Sequence, residues 1–186
     1  TCDYGRKILC QCDGTADLAS LDAKPTAGIY IPEICKIIKD IDKMKKYKIG
    51  YTTGVFDMFH IGHLNILKRA KEQCEYLIVG VTTDQLCYER KGKYPIICEA
   101  ERMAIVSELR CVDRVVPQEN MDKLEAVLKY HVDAVFVGSD WKGTDAWNTY
   151  EREFAEARCS VVYLEHTDGI SSTILRDRLN SGDKFL

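Results

Sequence analysis

The chain is poor in the features that mark several function classes. No uninterrupted apolar run approaches the ~20 residues needed to cross a bilayer as a helix, which argues against membrane insertion. Its opening residues do not follow the charged-then-apolar order of a secretory leader. Positive charge is not in excess: 26 Lys and Arg stand against 29 Asp and Glu, for a formal net charge of −3. A broad nucleic-acid footprint needs a strongly basic face, so nucleic acid is not an expected partner. There are nine cysteines but no CxxC pair, and no Cys/His set has zinc-finger spacing. Scattered free thiols in a reducing, cytoplasmic setting are the expectation, several of them serving as small apolar core residues. Internal repeats and low-complexity tracts are absent.

What is present suits one domain with a sizeable core: 186 residues, 46% of them hydrophobic. Residues 1–47 read as an N-terminal extension. Its first thirty positions carry Gly5, Gly14, Pro25 and Gly28 and show no period. From Pro32 to Lys45, Ile34, Ile37, Ile38, Ile41 and Met44 recur at helical spacing, which predicts an amphipathic helix.

Residues 48–186 alternate between strand and helix patterns. Strands are expected over 48–53, 76–82, 112–116, 134–137 and 160–164. Helices are expected over 61–73, 99–109, 121–130, 145–157 and 171–179. In the helix over 61–73, Ile61, Leu64, Leu67 and Ala70 form the expected inward face. The charged segment from Asp84 to Pro95 reads as a mobile loop. The apolar run from Tyr76 to Thr82 suits a strand covered on both faces. Such alternation predicts an α/β fold with an open parallel sheet and helices on both faces. Ligands bind such sheets at the carboxyl ends of the strands. Four polar loops fall there: 53–63, 84–93, 138–141 and 165–173.

The stretch from Tyr51 to Leu67 organises the rest. It passes from strand to turn to helix and sets His60 and His63 at the helix mouth, where unpaired N–H groups and the helix dipole favour phosphate. Ser171, Ser172 and Thr173 open a second helix with hydroxyls and N–H groups of the same use.

These pieces resemble a known family. His60-Ile-Gly-His63, preceded by Gly54-Val-Phe-Asp57, resembles the nucleotidylyltransferase signature. Arg110-Cys-Val-Asp-Arg-Val-Val-Pro117, Gly138-Ser-Asp-Trp141 and Thr167-Asp-Gly-Ile-Ser-Ser-Thr173 resemble further blocks of the cytidylyltransferases, most closely the bacterial glycerol-3-phosphate cytidylyltransferases. The resemblance covers about residues 48–179. It implies a Rossmann-like fold and transfer of CMP from CTP to a phosphorylated alcohol, with Mg²⁺ carried mainly by the triphosphate and only Asp57 and Asp140 on offer as protein ligands. It also implies a homodimer, which the helix over 32–45 would extend, and a product used in cell-envelope or capsule polymers. His60, His63 and either Lys91 or Lys93 are the expected catalytic residues, the lysine bridging the two reacting phosphates. Thr53, Gly54, Phe56, Gly62, Gly138, Asp140, Trp141, Ile170, Ser171, Ser172 and Thr173 are the expected nucleotide contacts. Gly62 would let backbone approach the nucleotide, and Asp140 with the backbone near Trp141 would read the cytosine amino group. Asp57, Arg102 and His166 are expected on the acceptor side.

The chain departs from the family at Cys111, where an aromatic is usual, at Ser139, where aspartate is common, and at His166, where arginine is common. Competing readings are a cytidylyltransferase for another polyol phosphate or an amino-alcohol phosphate, an adenylyltransferase of the same superfamily, a fragment of a class I aminoacyl-tRNA synthetase, and a non-catalytic nucleotide-binding module. The synthetase reading fits poorly, because the chain is short, not basic, and has no lysine-methionine-serine-lysine-serine run.

Overall fold

A computed structural model describes residues 45–181. The helix expected over 32–45 lies outside the described residues except for Lys45. Five strands form one sheet: β1 (Tyr47–Gly54), β2 (Cys74–Thr82), β3 (Arg114–Gln118), β4 (Ala134–Gly138) and β5 (Ser160–Leu164). All neighbouring pairs are parallel, and the spatial order is β3-β2-β1-β4-β5. Six α-helices connect and flank them: α1 (Ile61–Gln73), α2 (Asp84–Lys91), α3 (Glu99–Ser107), α4 (Lys123–Tyr130), α5 (Asp145–Glu156) and α6 (Ser172–Ser181).

The strand order explains where the chemistry collects. β1 sits between β2 and β4, so the chain builds outward on one side and then crosses to the other. That reversal leaves a crevice beyond the carboxyl ends of β1 and β4. The sheet carries a core on each face. Leu67 and Ala70 of α1 pack with Leu77, Val79, Val81 and Phe136 on one side. Val127, Trp147 and Phe154, from α4 and α5, pack with Tyr51, Ile78 and Val135 on the other. Most of β2 and β4 is buried on both faces, which is why they read as apolar runs rather than alternating ones. Pro117 sits inside β3, which is tolerated because β3 is an edge strand.

Two expectations are corrected. Ile61 was placed on the inward face of α1 but is 54% exposed, because it occupies the first helical position at the open mouth. The segment expected as a loop is largely helix α2. It has no apolar stripe over its eight residues, so periodicity misses it. Its ends are nonetheless marked. Thr83 caps it by accepting from the Leu86 amide, Asp84 lies in the first turn, Arg90 and Lys91 lie in the last, and Gly92 closes it at φ 65°. No helix among the described residues is long and apolar enough to cross a membrane.

Candidate active site

The loop from β1 into α1 is held in an uncommon shape. Phe56 and Met58 both have positive φ, at 55° and 50°, a region that costs non-glycine residues on the order of 1 kcal/mol or more each. Between them, Asp57 is 2% exposed and anchors the loop. Its carboxylate accepts from the Ile96 amide at 3.1 Å and the Ile97 amide at 3.0 Å, and it pairs with Arg176 of α6. Its carbonyl accepts from Ser172 Oγ at 2.9 Å. Burial by itself would raise the Asp57 pKa. The Ile97 and Ile96 amides and Arg176 outweigh it and hold the carboxyl below its usual range. One buried carboxylate thus ties together the β1–α1 loop, the segment after α2 and the start of α6.

His60 caps α1. Its Nδ1 accepts from the Gly62 amide at 3.1 Å, which leaves Nε2 as the proton-bearing nitrogen of the neutral ring. A Cβ at position 62 would lie 2.9 Å from the His60 ring. The absence of a side chain there makes room for that imidazole, a role different from the backbone approach expected. His63 stacks on His60, ring centroids 3.9 Å apart and 23° between planes. Phe56 and Phe59 stand 5.3 and 5.5 Å away on its other sides. Burial chiefly, with His60 beside it, pushes the His63 pKa down to about 4, against a smaller opposing pull from Asp57. His60 is lowered by burial and then by His166, so at neutral pH both rings are neutral donors. His63 Nδ1 is buried without a protein partner.

A cavity of about 440 Å³ opens beside this loop, lined among others by Lys91, Lys93, Tyr94, Ser172, Thr173 and Arg176. Three cations and two hydroxyls converge there on space that suits a polyphosphate. A larger cavity, about 860 Å³, is lined by Leu64, Lys68, Arg110 and Cys111 among others and holds none of these groups. Across the crevice, Ser139–Trp141 forms one 3₁₀ turn after β4, with Trp141 48% exposed. A Cβ on Gly138 would lie 2.4 Å from Asp140 Oδ1, so that turn also depends on a missing side chain.

A family model described as cytidylyltransferase-like matches residues 51–178. The chain belongs to that family. It is 36% identical over 131 residues to a glycerol-3-phosphate cytidylyltransferase of Bacillus spizizenii, covering 70% of this chain and 95% of that protein. It is 29% identical to an ethanolamine-phosphate cytidylyltransferase of Dictyostelium discoideum, covering 94% of this chain but 55% of that longer protein. Among solved structures, a lipopolysaccharide core biosynthesis protein of Thermoplasma volcanium superposes with a TM-score of 0.58 at 30% identity. The match covers 66% of this chain and 99% of that one.

Against this family frame, the expected site residues divide. His60, His63, Gly62 and Ile170 come together at the mouth, with Ile170 Cγ2 lying 3.4 Å from where a Gly62 Cβ would be. Lys91, Lys93, Ser172 and Thr173 come together in the cavity. Ser171 does cap its helix, its Oγ accepting from the Ile174 amide at 3.1 Å. His166 is exposed at the mouth, with Nδ1 4.0 Å from Asp168 Oδ1.

Four residues sit differently from expectation. Arg102 was expected to face an anion but is 1% exposed. Its guanidinium donates to the carbonyls of Ile97, Val55 and Thr82 and pairs with Asp84 at 2.6 Å. Every arm of the fork is taken by protein, so it braces the loops and does not reach the acceptor. The Asp57 carboxylate is consumed in the same way. Phe56 is 4% exposed, so its ring supports His63 and leaves only backbone for a nucleotide. The Thr53 hydroxyl accepts from Lys123 Nζ at 2.9 Å. Sequence reasoning missed two cations, Arg176 and Lys123. For Arg176 a signal existed: four residues after Ser172 on a helix is one turn from the capping hydroxyls. For Lys123 none did, because it lies 70 positions from its partner.

Proposed function

We propose that the chain transfers CMP from CTP to a phosphorylated alcohol, with glycerol 3-phosphate as the leading acceptor, releasing pyrophosphate and forming a CDP-alcohol. One observation carries the reading: the stacked pair His60 and His63 and the cationic cavity of Lys91, Lys93 and Arg176 share one edge of the sheet, joined through Asp57. The relative from Bacillus spizizenii is named for the same acceptor.

In the reaction an acceptor phosphate oxygen attacks the α-phosphorus of CTP, and the bond to the β-phosphate oxygen breaks. The attacking oxygen is already anionic, so no strong base is required. The barrier is the approach of one anion to another and the charge built up in the pentacoordinate transition state. His60 and His63 donate hydrogen bonds where that charge gathers. His63 Nδ1, buried and unpartnered, is the group whose hydrogen bonding a ligand would complete. Ser172, Thr173 and Arg176 receive the β- and γ-phosphates, and Lys91 and Lys93 bridge the acceptor phosphate to the nucleotide. Asp140 and the turn at Trp141 face the base.

Mg²⁺ fits as a companion of the triphosphate. No cluster of three or more His, Cys, Asp or Glu suited to a metal stands among the described residues, and the Asp57 oxygens are already engaged. When bound, the ion neutralises phosphate charge. A CDP-alcohol is an activated donor of an alcohol phosphate, consistent with use in envelope polymers. A homodimer in the cytoplasm is the working assembly of this reading.

The test is pyrophosphate release from CTP with glycerol 3-phosphate, and its loss in His60→Ala and His63→Ala. A drop of about 10²–10³ in kcat is expected for each. Turnover unchanged in both variants, or turnover with ATP and not CTP, would overturn the proposal.

A further inference from the structure

The proposed reaction asks Lys91 and Lys93 to bridge two phosphates from one short turn. Gly92 alone separates them, and neither has an ion-pair partner among the described residues. Like charges this close repel, and lysine side chains on an exposed turn keep their rotamer freedom until something orders them. Left to themselves, the two ammonium groups would spread away from the cavity and from each other.

A ring pair closes the turn. Tyr88, in the last turn of α2, stacks on Tyr94, just beyond it, with centroids 4.6 Å apart and 17° between planes. Between them the chain reverses, the Gly92 amide donating to the Tyr88 carbonyl at 2.8 Å. Pro95 favours extended backbone at Tyr94, which carries the returning strand of chain past the helix end. Two residues on, the amides of Ile96 and Ile97 are fixed on the Asp57 carboxylate. The returning segment is thus pinned at its far end by Asp57 and at its near end by the rings.

Apolar contacts across a helix C-terminus are common and often do no more than end the helix. This one buries little, for the rings stay 46% and 58% exposed. What it encloses is the two lysines. Tyr94 lines the phosphate cavity together with Lys91 and Lys93, whereas Tyr88 is not among the lining residues. Tyr88 therefore reaches the cavity only through the ring it stacks on.

We propose that the Tyr88–Tyr94 stack is a positioning device: it sets Lys91 and Lys93 over the cavity before any phosphate arrives. The charged segment after β2 then works as a preset arm and not as a mobile loop, and the cost of ordering two lysines is met in folding rather than in binding. The use made of the lysines rests on the cytidylyltransferase reading; the order of the turn does not.

The experiment compares wild type with Y88A, Y88F and Y94A by two readouts. One is kcat/KM for pyrophosphate release from CTP with glycerol 3-phosphate. The other is trypsin cleavage of the ligand-free protein after Lys91 and Lys93, with the cut sites located by mass spectrometry. Alanine suits a helix, so Y88A removes the ring without breaking α2. Y88A should lower kcat/KM by about 3- to 10-fold, the range a stacked pair supplies. It should speed cleavage after Lys91 and Lys93 several-fold while sites elsewhere, such as Lys129 and Arg152, keep their wild-type rates, which a general loss of stability would not allow. Y94A should open the turn equally and lose at least as much activity, because Tyr94 also lines the cavity. Y88F keeps the stack and should match wild type in both readouts. Y88A cleaved at the wild-type rate, or cleaved faster with kcat/KM unchanged, would overturn the proposal. So would Y88F behaving as Y88A, since the hydroxyl and not the stack would then be at work. Wild type failing to use CTP with any acceptor, while Y88A still opens the turn, would instead bring down the functional reading and leave the order of the turn standing.

Discussion

Two cations lie buried at the same edge of the sheet, and they are buried on different terms. Arg102 of α3 is ringed by acceptors: three backbone carbonyls and the Asp84 carboxylate. Asp84 and Glu99 each accept from the other's amide, so the starts of α2 and α3 cap one another around that pair. Lys123 of α4 has one hydroxyl and a neighbouring positive charge. The first arrangement is complete without a ligand. The second leaves an ammonium with one acceptor and no ion-pair partner among the described residues. A buried charge with all its partners holds the fold together, and one short of partners costs it stability.

The contrast can be broken most severely at Arg102. R102M leaves Asp84 unpaired and strips partners from the carbonyls of Val55, Thr82 and Ile97. We expect a loss of roughly 3–5 kcal/mol in urea unfolding, with activity falling because the loops lose their brace. A loss under 1 kcal/mol would put Arg102 back among candidate ligand-binding residues.

K123M should move stability the other way. Burial first, then Arg90, lower the Lys123 pKa from 10.5 to about 8. At pH 7 both folded and unfolded forms carry the charge, so the full penalty of burying it is present. As pH rises between about 8 and 10.5 the unfolded chain holds a proton that the folded one has shed, and wild-type stability climbs. K123M removes the penalty. It should be more stable than wild type at pH 7, by up to about 3 kcal/mol, and should lose the alkaline rise. Thermal melts at pH 7 and pH 10 measure both effects.

His63 supplies a third case, a buried group kept neutral. Its pKa is held at about 4 against an ordinary 6.5. The unfolded chain therefore binds the proton first as pH falls. The stability is whole above about 6.5 and drains away as pH drops toward 4. H63N, which cannot titrate, should flatten that stretch of the melting-temperature profile. Asp57 acts only further down the acid side, below its ordinary 3.8. A wild-type profile already flat between pH 6.5 and 4 would contradict this account.

The smallest effect is expected at Arg176, half way between the two extremes. It is paired with Asp57 but still faces the cavity. R176Q should cost about 1–2 kcal/mol of stability, because Asp57 keeps its amide partners, and should raise the KM for CTP several-fold. Unchanged binding of CTP would assign Arg176 to bracing alone.

Much of the fold was legible in the chain. β5 and α1 have the bounds expected from apolar runs and helical spacing, since both patterns are local. The helix mouth at His60 was legible too: a strand, a glycine, a histidine in the capping position and a helix are neighbours in sequence. α2 was missed because its eight residues, half of them charged, give no apolar stripe. The roles of Asp57, Arg102 and Thr53 were misjudged because they are polar residues at the edge of the site, with nothing local to say that protein already occupies them.

The sequence by itself determined the alternation of elements, the parallel sheet that follows from it, and the two helix mouths capped by His60 and Ser171. Only the tertiary structure decided the strand order and which charges are spent on the fold. Lys123 meets Thr53 across 70 positions, and Arg176 meets Asp57 across 119. Such pairings depend on which strands become neighbours and on how far each loop is shut off from water. Those are properties of the packed sheet, and no local pattern encodes them.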